Sequence, residues 1–282
     1  MLYPIIRCAA ASLALLAACA PTTLPPLHLP ANGPERLALD QPVVPIAQPV
    51  TISAGSWGGF TRTCALQTRT RVTPSRGYRP PPARQCAEVS TARLPSGQQQ
   101  VSLLFGERGA PRSFSLTFEP SATEGVRNAA LAGPGIDARP GSSRVALAAE
   151  ARSSAQPLVW SPAGRFAQSQ SVTRAWPLID SETTPDPASM SLTCTVAGAS
   201  AASSRPVLVF ECRGETPLTL TDPDGTVRRG EARENHWLAV DPTTAAILRR
   251  VQLSMVEGTV SGPGINGVMP FRQTIEVLAR ID

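Results

Sequence analysis

The sequence predicts an all-β protein made of two tandem copies of a disulfide-bearing module, each of β-sandwich or barrel-like form. Three observations predict it. Short segments alternate apolar and polar residues with a period of two, a set of landmarks recurs about 130 positions later, and four cysteines fall in two matched pairs within the copies.

The alternation comes first. In "SFSLTF" (113–118), Phe114, Leu116 and Phe118 share one face, and Ser113, Ser115 and Thr117 share the other, the pattern of a half-buried strand. "SLTCTV" (191–196) groups Leu192, Cys194 and Val196, and "RVQLSM" (250–255) groups Val251, Leu253 and Met255. "PVLVFEC" and "TPLTLTD" are further strand candidates. One short helix is expected over "DPTTAAILRR" (241–250), with Asp241 as N-cap and Pro242 at the first helical position.

The landmarks keep their order. Cys64 and Cys194 lie 130 positions apart, Cys86 and Cys212 lie 126 apart, and Pro95 and Gly97 recur as Pro223 and Gly225 at an offset of 128. "AGPGID" (132–137) and "SGPGIN" (261–266) are 129 apart, and Pro140 precedes Pro270 by 130. Such order points to two copies of one unit. In "GPGI" the proline presets φ at the second turn position and the following glycine supplies positive φ at the third, so a type II turn is expected. The expected organisation is a leader over 1–18, a Pro-rich tether over 19–49, copy one over 50–152, an irregular connection over 153–189 and copy two over 190–282, with a start of copy one from "ERLALDQPVV" (35–44) as the alternative.

The leader is read from "MLYPIIRCAAASLALLAACA". Arg7 precedes an apolar run from Cys8 to about Leu16, too short for a lasting membrane span, which needs about 20 residues. Leu16-Ala17-Ala18-Cys19 follows. This segment resembles the signal peptide of bacterial lipoproteins, whose lipobox carries Leu, two small residues and Cys. The resemblance covers the first 19 residues; the weak basic region, with Arg7 behind apolar Met1–Ile6, departs from the pattern. It implies cleavage before Cys19, acylation of Cys19 and, with Ala20 rather than Asp in the next position, sorting to the outer membrane, facing the periplasm. Several acyl chains anchor stably where one does not.

With Cys8 in the leader and Cys19 acylated, Cys64, Cys86, Cys194 and Cys212 remain for an oxidising compartment. Of their three possible pairings, Cys64–Cys86 with Cys194–Cys212 alone respects the repeat. Their spacing is not that of a zinc site, and neither a metal nor a cofactor is expected.

Motifs for catalysis are sparse. A Ser or Cys nucleophile needs a positioned base. His28 lies in the tether, and His236 in "ENHWLAV" has no GxSxG elbow to meet, so a structural or surface role is expected for it. HExxH, P-loop and GxGxxG patterns are absent. Asp222 and Asp224 of "TDPDGT" are replaced by "LPSGQ" in copy one, which keeps the turn and loses the acids, so a turn is expected there and not a calcium loop. A dispersed carboxylate pair of glycosidase type leaves no local signature.

All 26 basic residues are Arg. Between Cys64 and Cys86 the chain carries Arg69, Arg71, Arg76, Arg79 and Arg84 together with Tyr78, and no acid stands between Asp40 and Glu88. Read as a basic loop, this segment is the expected anion-binding site, with peptidoglycan, anionic lipid or an envelope protein as partner and nucleic acid excluded by compartment. The expected function is a non-catalytic binding or scaffolding role in the envelope. The alternatives are an inhibitor of a cell-wall-degrading enzyme, by analogy with the lipidated β proteins that block lysozyme, and a hydrolase.

Overall fold

The computed structural model describes residues 24, 32–53, 55, 59–73, 76–106, 112–121, 125–132, 158–160, 162, 164–177, 189–221, 225–265 and 267–282. The segment Leu16–Cys19, His28, Asp222, Asp224 and the first "GPGI" lie outside the described residues.

The described chain is nearly all strand, as the alternation requires. Its first half runs through β1 (Val50–Ile52), β2 (Arg62–Thr73), β3 (Arg76–Tyr78), β4 (Ala83–Arg93), β5 (Gln99–Phe105), β6 (Arg112–Ser121) and β7 (Gly125–Ala132). Two strands follow, β8 (Gly164–Phe166) and β9 (Ser171–Pro177). The second half comprises β10 (Ser189–Ala202), β11 (Arg205–Thr221), β12 (Val227–Val240), β13 (Ile247–Ser261) and β14 (Met269–Ile281).

Both halves are five-strand antiparallel meanders, β2-β4-β5-β6-β7 and β10-β11-β12-β13-β14, and each carries its disulfide between the first two strands. Cys64 stands directly opposite Cys86, and Cys194 opposite Cys212, with Cα atoms 4.1 and 3.9 Å apart. The turn between second and third strands matches as well: Gly97 and Gly225 hold φ of 84° and 83°. The match stops there. The second "GPGI" stands between β13 and β14, whereas the first comes after β7 in the sequence, so equal offsets do not mark equal places in the two meanders. At Gly262–Ile265 the turn itself is as expected: Gly264 has φ 75° and the Ile265 amide donates to the Gly262 carbonyl at 3.1 Å.

The two halves share one sheet. Its order is β7-β6-β5-β4-β2-β14-β13-β12-β11-β10-β9, with β3 paired to β2. The seam is β14 against β2, in register from Arg272 opposite Val72 to Ile281 opposite Thr63.

The second half buries both faces. One face gathers Leu192, Cys194, Leu208, Phe210, Cys212 and Leu238, and the little β1–β8 sheet covers it with Ile52 and Phe166. Trp160 stacks on Phe210 at 4.1 Å, and Phe166 meets the same ring edge-on at 5.4 Å. A second buried cluster includes Val207, Val209 and Ala239 together with Val89, Val101 and Leu103 of the first half. Burial of such side chains contributes roughly 1.5–3 kcal/mol each, which makes these two clusters the main source of cohesion.

Three expectations require correction. Residues 153–189, read as an irregular connection, contain β8, β9 and two of the most buried side chains, Trp160 and Trp176. Residues 32–49, read as tether, are packed: a 3-10 turn, η1 (Pro34–Leu37), buries Leu37, and Val44 bridges Ala199. The helix at 241–250 is a single turn. Asp241 Oδ1 accepts from the Thr243 amide and hydroxyl at 2.8 and 2.7 Å, as an N-cap does, and the Ala245 amide reaches the Asp241 carbonyl at 2.9 Å. Ala245 then turns left-handed at φ 56°, and the ladder of β13 takes over from Ile247.

Candidate functional site

Two places concentrate charge. The first is interior and centres on His236. Directly opposed residues share a face, so the register puts His236 and Glu234 of β12 beside Gln252 and Ser254 of β13, with Arg250 one step further along. All five are buried, and Arg174 of β9 joins them. Glu234 Oε2 accepts from Ser254 Oγ at 2.7 Å and from Gln252 Nε2 at 3.3 Å, and lies 2.7 Å from His236 Nε2.

Burial pushes the His236 pKa down, against the pull of Glu234, so the ring is neutral at pH 7 and donates from Nε2 to the carboxylate. Trp176 meets the imidazole edge-on at 4.5 Å. Arg174 lies 4.8 Å from the Trp176 ring and 5.3 Å from that of Trp160, and donates to the Val159 carbonyl at 2.9 Å. Burial, and secondarily the neighbouring Arg250, lower its pKa to about 9, which leaves it charged at neutral pH. Burial alone lowers Arg250 to about 10, with Glu234 opposing. With 0 % of its surface exposed, His236 is wholly buried.

The second place is at the surface, on the seam. Two cross-strand rows run side by side on one face, Leu278–Leu66–Arg84 and Arg249–Arg280–Cys64–Cys86. η1 lies along them and closes a groove of about 460 Å³, with Leu37, Leu66 and Leu278 providing apolar lining and Arg36, Arg84 and Arg280 basic lining. Arg36 pairs with Glu276, while Arg249 and Arg280 each lie 3.1 Å from the Asp282 carboxylate. Arg84 is exposed, and Leu66 is 38 % exposed.

The arginines singled out from the sequence are not gathered on a loop. Arg69 and Arg71 belong to β2, Arg76 to β3 and Arg84 to β4, with Arg79 exposed just after β3. Arg69 and Arg71 oppose Ile275 and Gln273, and Arg71 Nε donates to Gln273 Oε1 at 2.9 Å. Arg84 opposes Leu66, one residue out of phase, and therefore projects from the other face. The strands divide the basic run. Of that set Arg84 enters the groove, and its companions Arg36, Arg249 and Arg280 come from elsewhere in the chain. Sequence reading missed them because they converge through pairings of strands about 200 residues apart.

Among the described residues no cluster of three His, Cys, Asp or Glu is placed to hold a metal ion. No helix among them is long and apolar enough to cross a membrane. Comparison with family models, curated proteins and solved structures finds no match.

Proposed function

We propose that this chain is an envelope lipoprotein, anchored through acylated Cys19 at the periplasmic face of the outer membrane, with a non-catalytic binding or scaffolding role. The observation that carries the reading is a sequence of parts. A lipobox is followed by a short segment, then by a body packed from Asn32 onward, whose remaining four cysteines all lie in disulfides. Disulfides persist in oxidising compartments, which agrees with export. The burial of His236 supports the non-catalytic part.

Cys19→Ser tests the anchor. Membrane fractions of cells expressing the variant are expected to lose the protein to the soluble or unprocessed pool. An unchanged, fully processed membrane fraction refutes lipidation at Cys19.

A further inference from the structure

We infer that the groove on the seam is a binding site for the anionic headgroup of a membrane phospholipid, with Arg84 and Arg280 on the phosphate and Leu66 and Leu278 against the first acyl methylenes. The source of the lipid rests on the envelope reading above; the chemistry of the groove does not.

Three features of the groove point to this ligand. The first is charge. Arg36, Arg84, Arg249 and Arg280 surround it, and the carboxylates that face them are Glu276 and Asp282, so the site carries an excess of positive charge. Guanidinium groups suit phosphate oxygens through their forked donors. The second is the apolar floor. A site for a free inorganic anion gains nothing from an exposed Leu66 beside Leu278, whereas an amphiphile uses both surfaces.

The third is size and place. At about 460 Å³ the groove suits a small-molecule moiety and is too small to seat a helix or a folded partner. It is also walled by η1, which begins at Pro34, 15 residues after Cys19. At about 3 Å per extended residue the bilayer surface is within roughly 45 Å of the groove. A wall of the site thus lies close in sequence to the proposed anchor, which holds that wall near lipid.

The test uses the chain from Ala20, which retains every described residue and needs no anchor. Its binding is measured by co-sedimentation with vesicles of phosphatidylglycerol in phosphatidylcholine and of phosphatidylcholine alone. Arg84→Ala with Arg280→Ala is expected to weaken binding to the anionic vesicles on the order of 30-fold, given about 5-fold per arginine at a membrane surface. Leu66→Asn is expected to weaken it as well. Arg69→Ala with Arg71→Ala removes the same charge from the opposite face and is expected to have little effect.

Equal losses from the two Arg pairs overturn the site in favour of a diffuse field. Equal binding to both vesicle types overturns it outright. Preferential binding to purified sacculi, lost with Arg84 and Arg280, overturns the lipid in favour of an anionic glycan. Two intact disulfides by mass spectrometry and an unchanged urea midpoint exclude misfolding of the variants. Because the anchor is absent, failure here leaves the Cys19 reading standing, and release of Cys19→Ser leaves the groove untouched.

Discussion

Replacing the two disulfides separately by alanine pairs separates loop closure from packing. The bridges span 22 residues (Cys64–Cys86) and 18 residues (Cys194–Cys212), which in the chain-entropy model stabilise by about 3.4 and about 3.2 kcal/mol. Loop entropy thus makes the first bridge marginally the more valuable. Burial reverses the order. Cys194 and Cys212 are both fully buried in the core face, beside Leu192 and Phe210, whereas Cys64 is 7 % exposed and Cys86 only partly buried. Removing two enclosed sulfurs adds roughly 1 kcal/mol each in lost contact and cavity. Cys194→Ala/Cys212→Ala is therefore expected to cost about 5 kcal/mol, and Cys64→Ala/Cys86→Ala about 3.5. Urea unfolding followed by tryptophan fluorescence, with the slope checked for constancy, measures both. A larger loss from the Cys64–Cys86 pair, or equal losses, refutes the argument from packing.

Two further perturbations probe the interior cluster. The pKa of His236 lies below its ordinary value in the folded state, so below pH about 6.5 the unfolded chain binds a proton that the folded chain refuses. Stability is expected to be level above that pH and to fall below it, by at most about 1.4 kcal/mol per pH unit from this group. His236→Gln should flatten the acid limb of Tm against pH; identical acid limbs in the two proteins would sink the assignment. Glu234→Gln keeps a hydrogen-bonding side chain but takes from the buried Arg250 the carboxylate that opposes its desolvation, and should cost about 3 kcal/mol or more. A loss below about 1 kcal/mol in urea unfolding would show that the Arg250 guanidinium does not depend on it.

Local pattern was legible in the sequence; long-range convergence was not. The alternation in 191–196, the Gly262–Ile265 turn and the pairing of the cysteines all depend on neighbours a few to about twenty residues apart, whereas 250–255 buries its polar Gln252 and Ser254 as well as Val251 and Leu253. Trp160 and Trp176 were misplaced because their setting has no period to read. β8 is only three residues long, and β9, "SVTRAWP", buries an arginine beside its tryptophan. β12 hides its inward face for a related reason: Glu234 and His236 occupy positions where an apolar residue would advertise burial. The basic run between Cys64 and Cys86 failed as a site because proximity in sequence ignored strand phase. Arg71 and Arg84 point to opposite faces although each pairs through the same strand, β2.

The seam has a consequence for assembly. β14 follows every other strand in the chain, yet it lies in the middle of the sheet, and its partners in β2 are 200 to 218 positions away. A chain that emerges N-terminus first can form the β2-β4-β5 hairpins and the Cys64–Cys86 bridge early, but β2 then presents a bare edge until the final strand arrives. Such an edge is a template for wrong partners, and pairings this distant form slowly. Productive folding is therefore gated by the last strand to appear, and the interval before it docks is when this protein has most need of a chaperone.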